Sequence, residues 1–289
     1  MSAIRLSVLA FAAAAMATGC APERPDALPG TEGSDRMAVL SSDNQGTWDV
    51  LELDSMGNVV REIDANLNDA STLARHPDGF YVTSNWSDVL RIEDNGDVSI
   101  FNNDPLPSGV FRVTVDDDGD TTVAQEYDVT EIDNGGDIIA HTTVPSTYCW
   151  MDAAPGPDSS DDAALLDVFG PNLAVWDADA DGFDVFASGL PGDVNILGQT
   201  GNGDYVAVSE WNDHITLATV DGDVENLGRL SDHGIQAWAI HAIEAGSGNN
   251  ALALIEGNDG SSIVRVSDAG DMQQVVVSEG QVWRDLVTF

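Results

Sequence analysis

From residue 36 onward, the chain consists of short runs in which apolar and polar residues alternate. The runs are rich in Val, Ile, Leu, Thr and aromatic residues, and clusters of Asp, Asn and Gly separate them. Alternation with a period of two is typical of β-strands that are buried on one face. Because no stretch shows the longer period of an extended amphipathic helix, we predict an all-β domain.

Six glycines divide this region at regular intervals. Their separations are 39, 40, 46, 40 and 48 residues, and each glycine lies in a predicted turn between two alternating runs. The six are Gly57, Gly96, Gly136, Gly182, Gly222 and Gly270. We interpret the turns as two-residue hairpin turns, which need the positive φ that glycine adopts readily. The spacing therefore indicates a structural repeat.

Each repeat contains four strand-like runs. In one repeat they are residues 71–76, 80–85, 88–93 and 97–101. In another they are residues 193–199, 205–210, 214–220 and 223–227. A repeat of roughly 40 to 50 residues with four strands has the size of one β-propeller blade. Residues 36–289 therefore predict a six-bladed propeller of four-stranded blades, with seven blades or an open solenoid as the alternatives.

The two ends of this region complement each other. The first repeat shows only three runs, residues 37–41, 48–53 and 59–63, whereas the chain ends with an additional run at residues 281–289. We predict that this last run joins the first blade as its innermost strand. Sharing a blade between the two ends closes the ring and removes open sheet edges.

One repeat carries a recognisable pattern. It begins His-Pro-Asp-Gly-Phe-Tyr-Val-Thr at residues 76–83 and continues with Val-Leu-Arg-Ile at 89–92 and Asn-Gly-Asp at 95–97. This pattern resembles the blades of NHL and YVTN propellers, and the likeness covers most of residues 36–289. The resemblance implies the architecture but no particular chemistry, because propellers serve many functions.

The amino terminus has a different character. Residues 6–17 are almost uninterruptedly apolar, which suits the core of a signal peptide and is too short to span a bilayer. The run leads into Ala-Thr-Gly-Cys at residues 17–20. This motif resembles the bacterial lipobox, and the resemblance implies cleavage before Cys20 and lipidation of its thiol. We therefore predict a lipoprotein signal peptide over residues 1–19.

Residues 20–35 are rich in Pro, Gly and acidic residues, and we predict that they form a flexible acidic tether. The tether would connect the lipid on Cys20 to the propeller of residues 36–289. The expected location is the bacterial cell envelope, on the outer membrane, towards the periplasm or at the cell surface. A lipidated Cys20 cannot pair with Cys149, so we expect no intrachain disulfide.

The composition adds a strong negative charge. The chain has 50 Asp and Glu against 10 Lys and Arg, all ten of them arginines, and its formal net charge is -40. Such a surface repels phosphate backbones, which excludes general nucleic-acid binding. Hydrophobic residues nevertheless make up 43% of the chain, so it does not belong to the disordered class.

Alternating aspartates suggest a calcium site. Asp177, Asp179 and Asp181 precede Gly182, a pattern that resembles the start of an EF-hand loop, in which such carboxylates converge on one cation. The twelfth position is Ser188 instead of Glu, and the flanking runs predict strands. An Asp-rich hairpin turn is therefore the alternative to a Ca²⁺ site. We predict only a turn at residues 116–120.

Gluconolactonase-type propellers are also similar in architecture. That resemblance implies a divalent ion in the central channel, held near the starts of inner strands. Residues of the required kind there are Asn68, Asp69, Asp193 and Asn195, whereas the other blades offer Gln281, Ser108, Ser146 and Gln236. At most two of these positions are convincing ligands. A calcium-dependent hydrolase of lactones or esters, with its site in the channel, is thus the alternative function.

A second candidate site lies at the ends of second strands. Trp86 stands beside Asn85, Trp211 beside Glu210, and Glu126 occupies the matching place in a third repeat. Loops between second and third strands emerge on one face of a propeller, so we predict that these residues surround one mouth. Aromatic and carboxylate groups suit a polar organic or cationic ligand. The alternative is packing of the turns.

Other aromatic and histidine residues are given structural roles. We predict that Trp150, Trp238 and Trp283 fill the core, and that His233 lies in a connection between blades while His241 packs in a strand. If strand pairing placed both histidines at the channel, they could act as acid and base.

We favour a membrane-anchored module over an enzyme. Such a module would bind or scaffold a small molecule or protein at the propeller mouth.

Overall fold

The alternating runs form antiparallel β-strands that belong to six separate sheets. A computed structural model of the chain describes residues 36–42, 46–116, 118–125, 127–145, 148–157, 163–167, 169–178, 182–278 and 280–289. These residues form 24 strands and one short 3₁₀ helix, Leu230–His233. Within the described residues, no helix is both long and apolar enough to cross a membrane. The predicted signal peptide, Cys20 and the tether lie outside the described residues.

The strands group into six four-stranded blades. Blade 1 contains β1 (Met37–Ser42), β2 (Trp48–Leu53), β3 (Val59–Leu67) and, from the other end of the chain, β24 (Val282–Thr288). Blade 2 contains β4 (Leu73–Arg75), β5 (Tyr81–Ser84), β6 (Val89–Ile92) and β7 (Val98–Ile100). Blade 3 contains β8 (Val110–Val115), β9 (Thr121–Gln125), β10 (Asp128–Ile132) and β11 (Ile138–Thr143).

The second half of the chain repeats this arrangement. Blade 4 contains β12 (Trp150–Pro155), β13 (Ala163–Asp167), β14 (Asn172–Asp177) and β15 (Gly182–Ser188). Blade 5 contains β16 (Ile196–Gln199), β17 (Tyr205–Ser209), β18 (Asn212–Ala218) and β19 (Val224–Arg229). Blade 6 contains β20 (Ala239–Ala245), β21 (Asn250–Gly257), β22 (Gly260–Ser267) and β23 (Met272–Val277).

The blades are arranged around a central channel. The innermost strands are β24, β4, β8, β12, β16 and β20, and each contacts the next in that order until β20 meets β24. The ring is therefore closed, and the prediction of a six-bladed propeller is confirmed. Because every inner strand starts on the same face, the loops between second and third strands open on that face as well.

The predicted closure by the last strand is also confirmed. β24 pairs with β1 in an antiparallel register that joins Met37 to Thr288 and Val39 to Leu286. Trp283 and Leu286 are fully or almost fully buried in a cluster that includes residues of blades 1 and 6. The last strand therefore links the first blade to the sixth.

The core lies between neighbouring blades. Ile63 and Val50 of blade 1 pack in one cluster with Leu73 and Tyr81 of blade 2, for example. Middle strands such as β5, β13 and β17 are buried on both faces, whereas the outermost strand β7 is exposed throughout. Middle strands thus need almost continuous apolar sequence, and polar residues collect in the outer strands and turns.

The turns differ from the prediction in length. Gly96 N–H donates to the Glu93 carbonyl and Glu93 N–H to the Asp97 carbonyl, so three residues, not two, form the loop. Gly96 has a φ of 87°, as the last residue of such a loop requires. A Cβ there would lie 2.8 Å from the Asp64 carbonyl of the preceding blade. The repeated glycine therefore serves both the turn and the contact between blades.

The prediction for the tryptophans was correct at two of three positions. Trp150 and Trp283 are buried in the core. Trp238 is 59% exposed. It lies just before β20, which begins at the next residue, and therefore stands on the face of the propeller where the inner strands begin. His233 ends the 3₁₀ helix between blades 5 and 6, as predicted. His241 lies on β20 as predicted, but it also lines the channel, where only the alternative had placed it.

Candidate functional site

The centre of the channel is occupied by one arginine and three carboxyl groups. Arg112 of β8 places Nη1 2.7 and 2.6 Å from the two carboxylate oxygens of Asp285 on β24. Its Nη2 lies 2.8 Å from Glu244 Oε1 on β20, and its Nε lies 3.4 Å from Asp152 Oδ1 on β12. We call these four residues the channel cluster. They come from four different blades and are mostly buried.

The two remaining blades are also bound to the channel cluster. Asp285 Oδ2 accepts a hydrogen bond from the Leu73 N–H of β4 at 2.5 Å. Asp152 Oδ2 accepts one from the Leu197 N–H of β16 at 2.8 Å. All six inner strands therefore contribute one group to a single hydrogen-bonded network. In the described part of the chain, the inner strands pair only within their own blades. This side-chain network therefore connects the inner strands of all six blades at the axis.

The channel cluster has more acidic than basic groups, and this changes its protonation. Burial raises the pKa of Glu244 to about 8 and that of Asp152 to about 6, although Arg112 opposes both shifts. Burial alone would lower the pKa of Arg112, but Asp285, Asp152 and Glu244 together raise it above its usual value. Near neutral pH, Glu244 therefore holds a proton while the guanidinium stays charged.

This arrangement corrects the expectation that at most two inner-strand ligands meet in the channel. Three inner-strand carboxyl groups do meet there, and they surround a guanidinium. A cation already fills the place at which the three carboxylates converge. The channel cluster also divides the channel, because Arg112 lines one cavity on either side.

The cavity on the face where inner strands begin has a volume of about 380 Å³, and we call it the mouth cavity. The opposite cavity has about 410 Å³ and is lined by residues such as Arg75, His76 and Glu244. Ten of the residues that line the mouth cavity are aromatic, charged or carboxamide residues: Trp48, Phe111, Arg112, Asp152, Asn195, Glu210, His241, Glu256, Trp283 and Arg284. The mouth cavity thus combines aromatic rings with carboxylates above a closed floor.

Two of the residues predicted from the sequence reach the mouth cavity directly. Glu210 lines it at the end of β17, and its N–H donates to Asn195 Oδ1 at 2.7 Å. Asn195 itself lines both the mouth cavity and a shallow hollow of about 530 Å³ beside it. Trp211 and Asp193 lie in that hollow, where Asp193 Oδ2 accepts a hydrogen bond from Asn212 Nδ2. The predicted residues of blade 5 therefore form one continuous surface.

The predicted residues of blade 2 shape the rim. Trp86 has a φ of 75°, and its ring contacts Phe111 edge to face at a centroid distance of 5.5 Å. Because Phe111 lines the mouth cavity, Trp86 lies just outside it. The side-chain Oδ1 of Asn85 accepts hydrogen bonds from the backbone N–H groups of Ser87 and Asp88, so this side chain stabilises its own loop.

Several predicted residues are not brought into the mouth cavity or fall outside the described part. Asn68 and Asp69 are exposed and line neither channel cavity. Glu126, Ser146, Asp179 and Asp181 lie outside the described residues, so the Ca²⁺ loop that begins at Asp177 remains a prediction.

The predicted turn at residues 116–120 is confirmed. Asp116 Oδ1 accepts the backbone N–H groups of Asp118, Gly119 and Asp120. Carboxyl oxygens of Asp116, Asp120 and Glu131 lie within 4.8 Å of one another. The pKa of Asp120 is raised, mainly by its burial and secondly by the nearby negative charge of Asp116.

A histidine with a carboxylate partner completes the mouth cavity. His241 Nε2 lies 3.0 Å from Glu256 Oε2, and both residues line the cavity. In a neutral imidazole that donates through Nε2, the other ring nitrogen remains an acceptor. The pair therefore places a hydrogen-bonding histidine beside a carboxylate at this cavity. His233 lies in the connection between blades and takes no part in the cavity.

The chain is similar to known proteins in fold only. No family model matches it, and no curated protein sequence matches it. A virginiamycin B lyase from Staphylococcus aureus is 15% identical with a TM-score of 0.59, over 82% of this chain and 83% of the lyase. TolB from Acinetobacter baumannii is 11% identical with a TM-score of 0.66, over 88% of this chain and 66% of TolB.

A third similar structure comes from a nidogen/laminin complex. It is 11% identical with a TM-score of 0.65, over 89% of this chain and 98% of that chain. These proteins are β-propellers, and at such identities the likeness shows the fold alone. The function of this chain has to be inferred from its own residues.

Proposed function

We propose that the protein is a binding module of the bacterial cell envelope that holds a small organic cation in its mouth cavity. The observation that supports this proposal is the pairing of Glu210 and Glu256 with the rings of Trp48 and Phe111 around one cavity of about 380 Å³. A volume of a few hundred Å³ suits a small molecule. The channel cluster closes the floor, so a long polymer does not pass through.

Charge favours a cation at this place. Carboxylates attract it directly, and aromatic rings attract it through their negative faces. The formal net charge of -40 adds a long-range field that concentrates cations near the protein. Arg284 lies at the same cavity, so a ligand that also carries a carboxylate would find a partner for it.

Choline and its neutral carbon isostere, 3,3-dimethylbutan-1-ol, test the proposed binding. We expect the melting temperature of the purified protein to rise with choline and not with the isostere, because a ligand that binds only the folded state stabilises it. Replacing Glu210 by Gln should weaken choline binding about tenfold, a loss of about 1.4 kcal/mol. The measurement is a melting series against ligand concentration, followed by calorimetric titration.

A matched control for this experiment is Glu225→Gln, which removes an exposed carboxylate on the outer strand β19. Both variants lose one negative charge, so a general charge effect would weaken choline binding equally in the two. Equal effects of the two substitutions, or an equal response to choline and the isostere, would contradict the proposal.

The alternative function, a calcium-dependent hydrolase, has less support. Its channel ion would need carboxylates without a cationic partner, whereas Asp152, Glu244 and Asp285 surround Arg112. The His241–Glu256 pair does offer a base at the mouth cavity. A melting temperature that rises with calcium and not with choline would favour the hydrolase. His241 would then be the first residue to replace, because it is the base of that pair.

The proposal also includes the lipid anchor on Cys20. Replacing Cys20 by Ser should move the protein from the membrane fraction to the soluble fraction, because the lipid is the only anchor proposed. The measurement is fractionation of cells that express either form, followed by immunoblotting. Continued sedimentation of the Cys20→Ser protein with membranes would contradict lipidation as the means of attachment.

A further inference from the structure

Six aromatic residues, one from each blade, lie on the face that carries the mouth cavity. Five of them lie in or at the end of the loop between the second and third strands of blades 1 to 5, and the sixth directly precedes the inner strand of blade 6. In chain order they are Trp48, Trp86, Tyr127, Phe169, Trp211 and Trp238. We call these residues the aromatic crown.

The aromatic crown is unusually exposed for such large rings. The exposed fractions are 56% for Trp86, 52% for Tyr127, 70% for Phe169, 75% for Trp211 and 59% for Trp238. Most other well-exposed large apolar residues in the described part are aliphatic and lie on outer strands, as Val60, Ile100 and Ile139 do. Exposed aromatic rings concentrated on one face are typical of a protein interaction surface.

Contacts connect the aromatic crown to the mouth cavity. Trp48 lines the cavity, and Trp86 packs on Phe111 of its wall. The Trp238 N–H donates to the Glu256 carbonyl at 2.7 Å, and Glu256 lines the same cavity. Trp48, Trp86 and Trp238 therefore lie at the rim of the mouth cavity, where the crown can meet a partner larger than the cavity holds.

The charge on this face indicates the chemistry of the partner. Glu210 and Asp193 flank Trp211, and the chain carries five acidic residues for every arginine. Arg284 already lies over the Trp48 ring at 5.5 Å, which shows how a guanidinium sits on the crown. Among the described residues, Trp48 is the one member of the crown whose ring lies under an arginine of the chain. Trp211 and Trp238 are 75% and 59% exposed, so their rings are accessible to cations from outside.

We propose that the aromatic crown docks a basic segment of another polypeptide. Its Arg or Lys side chains lie on the rings and pair with the carboxylates between them. A lipid surface fits less well, because the net charge of -40 repels anionic headgroups. This inference goes beyond the proposed small ligand, since it concerns the exposed rings of the rim and not the floor of the mouth cavity.

A short peptide of alternating Arg and Ser is the probe, and the same peptide with citrulline for arginine is its neutral control. The crown variant is Trp86→Ala, Trp211→Ala and Trp238→Ala combined. Its matched control is Val60→Ala, Ile100→Ala and Ile139→Ala, which removes exposed apolar side chains from outer strands. Fluorescence anisotropy of the labelled peptide is measured at about 0.5 M NaCl, where general charge attraction is screened within several Å.

We expect the crown variant to lose about tenfold or more in affinity for the arginine peptide, while the matched control binds like the unaltered protein. The citrulline peptide should bind to none of them. Trp211→Ala alone, at the most exposed ring, should lose roughly two- to fivefold, as expected for one exposed cation–π contact. This single variant keeps the test valid if the triple variant unfolds.

Two results would overturn the proposal. One is equal affinity of the crown variant and its matched control for the arginine peptide. The other is binding of phosphatidylcholine vesicles by the purified protein without binding of the peptide, which would make the crown a lipid-contacting surface. Failure of choline to bind would leave the crown proposal standing, because the two experiments change different residues.

Discussion

A chain that ends at Gly280 will not form a stable propeller. Removing residues 281–289 deletes β24, which leaves β1 at the channel with an unpaired edge and empties the places of Trp283 and Leu286 in the core. Loss of one buried Trp or Leu side chain alone costs about 2–5 kcal/mol. Both losses together with an open edge approach the total stability of a typical domain, about 5–15 kcal/mol. The deletion also removes Asp285 from the channel cluster.

Circular dichroism during heating and size-exclusion chromatography measure this effect. We expect the truncated chain to show no cooperative melting transition, or one lowered by tens of degrees, and to aggregate through the exposed edge. Two point substitutions on the same strand provide a matched pair. Trp283→Ala should lower the free energy of unfolding by about 3–5 kcal/mol. Val282→Ala should have a smaller effect, since Val282 is 43% exposed whereas Trp283 is 2% exposed. Cooperative melting of the truncated chain close to that of the intact one would show that the ring does not depend on closure.

The fold could be predicted because its signals are local. Alternation within each run identifies strands, and the regular glycines mark the turn between the third and fourth strand of each blade. The closing strand could be predicted by counting strand-like runs. The first repeat has only three runs and the chain ends with an additional one, so together they make one complete four-stranded blade. The length of the turn could not be read in the same way, because two- and three-residue hairpin loops both place glycine at a positive φ.

The channel cluster could not be predicted from its sequence neighbourhood. Arg112 and Asp285 are 173 positions apart, and only the ring closure brings their strands to one axis. The ligands predicted from the sequence stand at the starts of inner strands, whereas the residues of the channel cluster lie further along them, Glu244 close to the end of β20. A signal was nevertheless present. Arg112 follows Phe111 and precedes Val113, and Glu244 follows Ile243 and precedes Ala245, so each is a charge between apolar neighbours, where it is stable only if it has a partner.

The mouth was predicted better than the channel, because the residues there belong to loops that the repeat places on one face. Glu210 and Trp211 were identified by their position at the end of a second strand. Trp238 was missed as a rim residue because it directly precedes an inner-strand run, and the sequence does not show that this strand begins one residue later. Phe169 was missed because its loop has no resemblance to those of Trp86 and Trp211.

Replacing Arg112 by Met should be the most damaging single charge removal in the propeller. Met fills much of the same volume but leaves Asp152, Glu244 and Asp285 together in the channel without a cation. Removing one partner of a buried ion pair costs about 3–5 kcal/mol. The matched control is Arg91→Met, which breaks a partly exposed pair with Glu93 and should cost about 1 kcal/mol or less.

The pH dependence distinguishes a charge effect from a packing effect. In the intact protein, the pKa values of Glu244 and Asp152 are raised to about 8 and about 6, above their unfolded values near 4. The folded state therefore holds protons that the unfolded state releases. The stability that these groups contribute is complete below about pH 4 and is lost as the pH rises through 6 and 8. Without Arg112 the carboxyl groups resist ionisation still more, so this loss becomes steeper.

Urea unfolding of both proteins at pH 5, 7 and 9 measures the difference. We expect the free-energy gap between the intact protein and Arg112→Met to widen with each step in pH, because Asp152 and Glu244 ionise over this range and have no cationic partner in the variant. Adding Asp285→Asn to Arg112→Met should recover part of the loss at pH 9, since one buried negative charge is removed. A gap that stays constant from pH 5 to pH 9 would show that Arg112 acts by filling space, and the network that joins six blades would then owe its stability to packing instead of charge.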